Sequence, residues 1–467
     1  MKSKRLQEKL RLHLPFPPTP EQNNIIKNLS DFVSTIGNRS IFILKGYAGT
    51  GKTTLISSLV KSLPILGKRS VLTAPTGRAA KVLSKYSNKL ATTIHKKIYW
   101  IRTNKKGNTF ISLKENTHHN TIFIVDEASM IADNAEKGFG NRSLLDDLIQ
   151  YVYEGSDCKL ILIGDTAQLP PVHLDISPAL DKQKLEFNYN KQVICKELTE
   201  VVRQKKGSFI LKNATNLRAR IAKEKFSYPK IKTNTEVIQV KTGEELQEAL
   251  EDNYSNDGIN NTTILCRSNK RANLYNQQIR TKIRWQENEI SAGDIIMVVR
   301  NNYYWLNDNS KAGFIANGDI AEIIKIKETI NRYGFRFVKA NIQLTDYPEE
   351  KELDVILLLD TLTSESPAIT YKQYQQLYKE VALDYKGEKE LNKKIKENEF
   401  FNALQIKFAY AMTCHKSQGG QWKNVFIDSG YFTKEMLNKE YFRWLYTAIT
   451  RASKKLYFIN FNKEFFR

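Results

Sequence analysis

The stretch IFILKGYAGTGKTTLISSL, residues 41–59, decides the fold class of this 467-residue chain. The four apolar residues 41–44 predict a buried strand, and the run at 53–62 predicts the helix that follows it. The glycine-rich turn between them fits the pattern G-x-x-x-x-G-K-[ST], in which backbone N–H groups surround phosphate oxygens. A strand before the turn and a helix after it are the context that confirms a phosphate-binding loop.

This loop predicts a nucleotide site with separate roles for its residues. Lys52 is expected to reach the β- and γ-phosphates, and Thr53 is expected to hold a magnesium ion. The N–H groups and the dipole at the helix N-terminus add to the attraction for phosphate. The residues predicted to contact the nucleotide here are Gly46, Ala48, Gly49, Thr50, Gly51, Lys52, Thr53 and Thr54.

Two further apolar strands end in polar residues. IFIVDE, residues 122–127, ends in two carboxylates, which would face a nucleotide crevice at the carboxyl end of the strand. Asp126 is predicted to bind Mg²⁺ and Glu127 to polarise the attacking water. In LIGDTAQLPP, residues 162–171, the uncharged Gln168 can touch both the γ-phosphate and that water. The pattern therefore predicts ATP and Mg²⁺ as cofactors.

The order of strands and helices predicts the domain organisation. Apolar strands at 41–44, 70–74, 121–125 and 159–163 alternate with helices, which favours a parallel α/β sheet. Residues 94–114 are typical of a β-hairpin, and its aromatic residues are Trp100 and Phe110. A second α/β region begins near residue 182, and the short strands within 291–346 predict a small inserted barrel. The predicted bounds are 1–181 for the first domain, 182–290 with 405–467 for the second, and 291–404 for the barrel with a polar, solvated helical arm at 370–400.

The charge balance favours a polyanionic partner. Lys and Arg number 72 against 50 Asp and Glu, a net charge of +22, and each neutralised phosphate releases counterions. A lysine-rich coding bias of an AT-rich genome is the alternative reading. Four separated cysteines indicate neither a zinc ribbon nor a disulfide framework. The sequence has no run of 18 apolar residues and no signal peptide pattern, so we expect a cytoplasmic, nucleoid-associated protein of a bacterial cell or phage-infected host, with no membrane partner.

From about residue 20 to residue 455, the order of the motifs resembles that of superfamily 1 helicases. It is most similar to the 5′-to-3′ branch that includes Dda and RecD. The resemblance implies two RecA-like parallel-sheet P-loop domains with ATP between them. It also implies that the hairpin at 94–114 is a pin inserted in the first domain, and that the barrel inserted in the second is SH3-like. Trp100 and Phe110 are then the candidate pin residues.

Individual motifs assign further roles through this resemblance. Gln22 in PEQ, residues 20–22, would read adenine. Arg203 in ELTEVVRQ, residues 197–204, would sense the nucleotide, and Arg451 in YTAITRA, residues 446–452, would be the arginine finger. In MTCHKSQG, residues 412–419, Gln418 and Gly419 would link DNA to ATP. The residues implied to contact the DNA strand are Pro75, Thr76, Gly77, Thr93, His95, Thr413, His415, Lys416 and Ser417.

These expectations combine into one function and two alternatives. We expect an ATP-dependent DNA helicase that translocates 5′-to-3′ on single-stranded DNA and unwinds duplex DNA. Its partners would be single strands and single/double-strand junctions, with replication or recombination proteins as further candidates, and the chain would act as a monomer. One alternative is a translocase that displaces bound protein without strong unwinding. The other is an ATP-gated nucleic-acid binding or loading module. The intact Glu127, Arg203 and Arg451 argue against this alternative.

Overall fold

A computed structural model describes residues 1–37, 40–103, 109–133, 142–171, 174–201, 208–306, 310, 314–388 and 390–467. Within these ranges the chain forms two α/β units, and a closed barrel is inserted in the second unit. No helix in the described part of the chain is long and apolar enough to cross a membrane.

The first unit is built on a six-stranded sheet. Its elements in chain order are α1 (Lys2–His13), α2 (Pro20–Ser34), β1 (Ser40–Gly46), α3 (Lys52–Ser62), β2 (Arg69–Ala74), α4 (Gly77–Ser87), β3 (Ala91–Thr93), α5 (Ile94–Ile98), β4 (Tyr99–Thr103), β5 (Thr109–Leu113), β6 (Thr121–Val125), α6 (Leu144–Glu154), β7 (Lys159–Gly164), α7 (Lys182–Tyr189) and β8 (Gln192–Leu198).

The strand order is β3-β2-β6-β7-β1-β8, and the strands pair in parallel. Strands β6 and β7 are buried along their whole length, because helices cover both faces of the sheet, as parallel sheets require. The carboxyl ends of β1, β6 and β7 therefore meet at one edge. That edge carries the phosphate loop, the two carboxylates and the loop of Gln168.

Strand β8 corrects the predicted domain boundary at residue 181. Residues 192–198 pair with residues 40–46 of β1, so they complete the first sheet rather than begin the second. The error has a physical reason, because a short strand carries no local signal of the sheet it joins.

The second unit has a five-stranded parallel sheet of order β16-β10-β17-β18-β9. Its elements, including the insert, are α8 (Phe209–Ala222), β9 (Val237–Val240), α9 (Gly243–Asp257), β10 (Thr262–Cys266), α10 (Asn269–Gln278), β11 (Ile295–Val298), β12 (Ile320–Arg332), β13 (Phe335–Leu344), β14 (Leu353–Leu358), α11 (Tyr371–Leu383), α12 (Leu391–Glu397), β15 (Leu404–Phe408), β16 (Ala411–Thr413), β17 (Trp422–Asp428), α13 (Lys439–Ile449) and β18 (Ala452–Ile459).

Strands β11 to β15 close the barrel, and this agrees with the predicted insertion. Strand β15 pairs with both β11 and β14, so the barrel extends to Phe408 and the predicted return to the second domain at 405 is too early. Only two residues separate β15 from β16. One of them, the fully buried Tyr410, donates its hydroxyl hydrogen to Asp294 at the barrel entrance (2.8 Å). Barrel and second sheet share one continuous core.

The segment 370–400 is helical as predicted, but it is not a solvated arm. Leu377 and Val381 on α11 and Ile395 on α12 are buried against Phe337 and neighbouring residues on the outside of the barrel. Their apolar spacing was diluted by the Lys, Glu and Tyr residues between them, which hid the buried face.

Residues 303–305 form an aromatic run, Tyr303, Tyr304 and Trp305, for which the sequence allows base stacking or barrel core and favours core. Trp305 packs against the buried clusters, and its indole N–H donates to the Asn402 carbonyl (2.8 Å). Tyr304 keeps 40% of its surface exposed, so the expectation holds for the tryptophan but not for this tyrosine.

Candidate nucleotide site and strand interface

The phosphate loop adopts a conformation that depends on its glycines. Gly49 and Gly51 have φ angles of +81° and +87°, a region that residues with a Cβ rarely adopt. A Cβ on Gly51 would also lie 2.7 Å from the Gln22 side-chain nitrogen. The loop is therefore shaped both by backbone conformation and by close packing against α2.

Gln22 ties α2 to this loop. Its Nε2 donates to the Thr50 carbonyl (3.3 Å), while its Oε1 accepts from the Thr19 N–H (3.2 Å) in a capping box. The side chain is buried beside Gly51. The structure thus places Gln22 at the nucleotide loop, and its reading of adenine stays a prediction.

Lys52 lies at the start of α3 with its ammonium in the loop. Its Nζ donates to the carbonyl oxygens of Gly46 and Tyr47 (2.9 Å to the latter). The Lys52 charge also favours ionisation of Asp126 and Glu127, which locates it between the loop and these carboxylates. In the same first turn, Thr53 is half-buried and Thr54 is exposed.

Asp126 and Glu127 form a half-buried acidic pair at the end of β6. Burial raises the pKa of both carboxyls, and the Asp126 charge raises the pKa of Glu127 further. Glu127 has φ of +51°, and its N–H donates to Asp126 Oδ1 (2.9 Å). Such a pair is costly to ionise unless cations face it. The oxygen donors of Asp126 and Thr53 fit Mg²⁺, which accepts one or two protein ligands together with nucleotide phosphates.

Gln168 presents an acceptor into the same crevice. The residue is buried, and its side-chain Oε1 has no hydrogen-bond partner among the described residues. Buried polar atoms without partners are rare in folded proteins. This orphaned acceptor is therefore consistent with a site that takes a hydrogen-bond donor such as a bound water.

Arg451 approaches the acidic pair from the second unit. It is buried, and its guanidinium donates to the carbonyls of Thr447 (3.1 Å) and Gly420 (3.2 Å). Its charge lowers the pKa of Glu127, in opposition to the effect of burial. Arg451 and the predicted catalytic carboxylate are therefore close enough across the cleft to interact electrostatically. Arg203, the other predicted arginine, lies outside the described residues.

Hydrogen bonds join the two units beside Gln168. The Gln418 side chain donates to the Leu169 carbonyl (2.8 Å), and the Leu169 N–H donates to the Thr447 hydroxyl (2.9 Å). We call this contact between the first unit and residues 418–451 the seam. Gln418 was predicted here, whereas Thr447 was missed, because a threonine within a helix carries no sequence signal of such a contact.

The N-terminus of α4 is covered by the barrel. Thr76 caps the helix by accepting from the Ala79 N–H (3.2 Å), and Gly77 is buried. A Cβ on Gly77 would lie 2.6 Å from Asp319 Oδ1. Burial, with help from the Asp346 charge, raises the pKa of Asp319 to about 7. We call this the barrel contact. It leaves Pro75 and Thr76 half-buried.

The other predicted strand-contact residues differ in access. Thr93 is buried and caps α5, and His95 lies 5.7 Å from the Tyr99 ring. In the second unit Ser417 is buried and donates to the Cys414 carbonyl (2.8 Å). Of the predicted strand-contact residues in this unit, Thr413, His415 and Lys416 have side chains that reach the surface.

The start of α4 in the first unit touches the segment of the second unit that contains Gly419 and Trp422. A Cβ on Gly419 would lie 2.7 Å from Ala79 Cβ and 3.2 Å from the Thr76 hydroxyl. The Arg78 guanidinium stacks on the Trp422 ring (3.8 Å to the centroid). Arg78 was not among the predicted strand-contact residues, although it directly follows three of them, Pro75, Thr76 and Gly77.

The predicted hairpin forms its own two-stranded sheet, β4 with β5. The Tyr99 hydroxyl anchors its base by donating to Asp147 (2.9 Å). Trp100 is 51% exposed, and the Lys114 ammonium lies 4.5 Å from its ring centroid. The turn 104–108 and the Phe110 side chain lie outside the described part of the chain.

Comparisons with known proteins agree with this geometry. The AAA domain family matches residues 19–228, and the UvrD-like helicase C-terminal domain matches residues 408–459. The uncharacterized protein MJ1519 of Methanocaldococcus jannaschii is 27% identical over 91% of this chain, but the chain spans only 37% of that protein. The Pif1 helicase from Bacteroides, solved with ADP-AlF3 and ssDNA, is 16% identical with a TM-score of 0.48, over 96% of this chain and 94% of that one.

The ATP-dependent DNA helicase Dda of Enterobacteria phage T4 is 29% identical, over 64% of each chain. The two matched domains contain the phosphate loop and the acidic pair on one side, and the Gln418 and Arg451 segments on the other. The chain therefore combines an AAA domain with a UvrD-like helicase C-terminal domain, and it is similar to helicases of the Dda and RecD type.

Proposed function

We propose that this chain uses ATP hydrolysis to translocate 5′-to-3′ on single-stranded DNA and to unwind the duplex ahead of it. The observation that carries the proposal is the position of Arg451, a buried residue of the second unit whose charge lowers the pKa of the Glu127 carboxyl in the first unit. An arginine delivered in this way stabilises transition-state charge only while the units are closed. Hydrolysis is then tied to closure of the cleft.

The nucleotide site supports assigned roles. Lys52 would bind the β- and γ-phosphates, and Asp126 with Thr53 would hold Mg²⁺, which neutralises phosphate charge. Glu127 would orient the attacking water and accept its proton. The raised pKa of Glu127 makes it a better proton acceptor than an exposed carboxylate. Gln168 would accept a hydrogen bond from the attacking water through its free Oε1, and its amide N–H could donate to the γ-phosphate.

The seam supports coupling of this chemistry to the strand. Gln418 contacts the backbone next to Gln168, and the following Gly419 packs on Thr76 at the start of α4. Closure of the cleft is therefore expected to move the segment around Gly419 relative to the start of α4. Alternate gripping by two segments is what stepping along a strand requires.

Surface residues of the chain support the proposal that it binds a nucleic-acid strand without sequence preference. Exposed His415 and half-buried Lys416 lie on the second unit, and Thr76 lies on the first. Such groups bind phosphates and do not read base edges. At the hairpin, the exposed Trp100 is the residue we propose to meet the junction, and the Lys114 ammonium lies beside its ring.

The experiment that tests the proposal measures ATP hydrolysis and strand separation together. Duplexes carry either a 5′ or a 3′ single-stranded tail, and Lys52→Ala serves as the inactive control. Unwinding of the 5′-tailed duplex alone is the expected result. Stimulated hydrolysis without unwinding would favour the translocase, and an absence of DNA-stimulated turnover would favour the binding module and contradict the proposal.

The role of the hairpin has a separate test. Shortening the segment 103–109 should abolish unwinding and leave DNA-stimulated ATP hydrolysis intact, because the hairpin sheet is separate from the main sheet. Unwinding at the normal rate would show that the hairpin is not the wedge.

A further inference from the structure

Tyr446 lies on α13, near the helix end that carries Arg451, and is fully buried. Its hydroxyl donates to Asp165 Oδ2 (2.7 Å) and accepts from the Ala48 N–H in the phosphate loop (3.0 Å). Both partners belong to the first unit, while Tyr446 belongs to the second. One hydroxyl group thus joins two loops of the nucleotide site across the seam.

The Asp165 carboxylate extends this connection to Gln168. Its other oxygen accepts from the Ala167 N–H (2.9 Å), which shapes the turn immediately before Gln168. On the far side of Gln168, the Leu169 N–H donates to the hydroxyl of Thr447. Consecutive residues of α13 therefore hold the Gln168 loop from both sides.

The same helix end positions the arginine. The Arg451 Nε donates to the carbonyl of Thr447 (3.1 Å), so the guanidinium is fixed relative to the backbone at residues 446–447. If Tyr446 fixes that backbone against the phosphate loop, it also sets the distance from Arg451 to the phosphates. Displacements of about 1 Å in such arrangements cost large factors in rate.

We propose that Tyr446 is a positioning residue that brings Arg451 and Gln168 into register with the phosphate loop when the two units close. This inference rests on the proposed ATP hydrolysis. In an open cleft, water can satisfy the Ala48 N–H and the Asp165 carboxylate, so the hydroxyl contributes only to the closed arrangement. An interaction made only on the way to the transition state changes kcat and leaves ground-state binding unaltered.

Tyr446→Phe in the full chain tests the inference, because it removes the hydroxyl and keeps the ring. ATP hydrolysis is measured over a range of ATP concentrations at saturating single-stranded DNA. We expect kcat to fall by about 10- to 100-fold, the loss expected for hydrogen bonds to a charged group. The KM for ATP should stay within about twofold of the wild-type value, since the phosphate loop is intact.

Tyr441→Phe is the matched control. Tyr441 is buried on the same helix, but its ring packs against Trp444 (5.5 Å) and Phe465 (6.1 Å) within the second unit. This variant should retain the wild-type kcat. A melting curve of each variant establishes that it is folded.

A double-mutant cycle with Asp165→Asn tests whether the hydroxyl acts through that carboxylate. Asp165→Asn alone should also lower kcat, and the two changes together should cost less than the sum of their separate effects. If Tyr446→Phe does not fold, Asp165→Asn is compared with Tyr441→Phe instead.

A folded Tyr446→Phe variant with wild-type kcat, or with a raised KM and unchanged kcat, would overturn the inference. Strict additivity in the cycle would do so as well. These outcomes differ from a failure of the proposed function, in which the wild-type chain itself shows no DNA-stimulated hydrolysis.

Discussion

Two contacts of the first unit with the rest of the chain are built differently. At the seam, directional hydrogen bonds join loops of both units, as where Gln418 and Thr447 hold the Leu169 backbone. At the barrel contact, the Lys81 ammonium donates to the Thr345 carbonyl (3.0 Å), but the Asp319 carboxyl is buried against Gly77, and its Oδ1 has no hydrogen-bond partner among the described residues. A buried polar atom left unsatisfied destabilises the contact that buries it. We infer that the seam fixes geometry and that the barrel contact is the easier of the two to release.

The largest effect is expected at the acidic pair. Glu127→Gln removes the proton acceptor and should lower the rate of DNA-stimulated ATP hydrolysis by about 10²- to 10⁴-fold. Binding of a fluorescent ATP analogue should persist, because Lys52 and the loop are unchanged. Glu251→Gln, at an exposed site on α9, is the control and should be fully active. Residual activity within tenfold of wild type would assign the base to another group.

The next effect concerns the stacking of Arg78 on Trp422. Arg78→Gln removes a desolvated cation–π contact worth about 2 kcal/mol, so DNA-stimulated ATP hydrolysis should fall about 30-fold. Lys85→Gln, which changes an exposed cation on the same helix, should have no effect. Equal rates for the two variants would show that the seam does not depend on this stack.

The barrel contact is tested by Gly77→Ala. The new Cβ would lie 2.6 Å from Asp319 Oδ1, and such overpacking costs about 1–3 kcal/mol in the free energy of unfolding. Urea denaturation measures the loss, and Asp319→Ala in the same chain should restore much of it. Gly243→Ala is the control, since a Cβ there meets nothing within 4 Å. A stable Gly77→Ala variant with Asp319 in place would mean that the barrel does not rest on α4.

The smallest effect is a pH dependence of the same contact. The pKa of Asp319 is raised from 3.8 to about 7 in the folded chain, so the folded state binds a proton that the unfolded state releases. Stability from this group is fully present below about pH 4 and is lost as pH rises to about 7. Between pH 6 and pH 8 the free energy of unfolding should fall by about 1 kcal/mol.

Asp319→Asn should remove this part of the pH dependence. The measurement is urea denaturation at pH 6 and pH 8 for the wild type and the variant. Identical pH profiles for the two chains would place the titrating group elsewhere.

The nucleotide edge could be predicted from the sequence because its parts are local. Asp126 follows an apolar strand directly, Lys52 and Gln168 lie within six residues of the end of another, and the carboxyl ends of neighbouring parallel strands meet at one edge. Their arrangement in the structure follows from that rule. Their catalytic roles still await the measurements above.

The contacts between units could not be predicted in the same way. Tyr446 and Thr447 face the first unit only because α13 packs at one particular angle, and nothing in their neighbourhood in sequence marks this. Asp319 meets Gly77 across more than two hundred residues of chain. The pairing of β8 with β1 is of the same kind, since partner choice between strands is decided by tertiary packing.

The short connection through Tyr410 has a mechanical consequence. Its hydroxyl joins the exit of the barrel to Asp294 at the entrance, and one core runs through the barrel and the second sheet. The barrel is therefore expected to turn with the second unit as one rigid lever about the cleft. Any rotation that lifts Arg451 from the nucleotide site would then lift Asp319 from the N-terminus of α4 in the same stroke. A single hinge motion would then control both nucleotide exchange and release of the DNA strand.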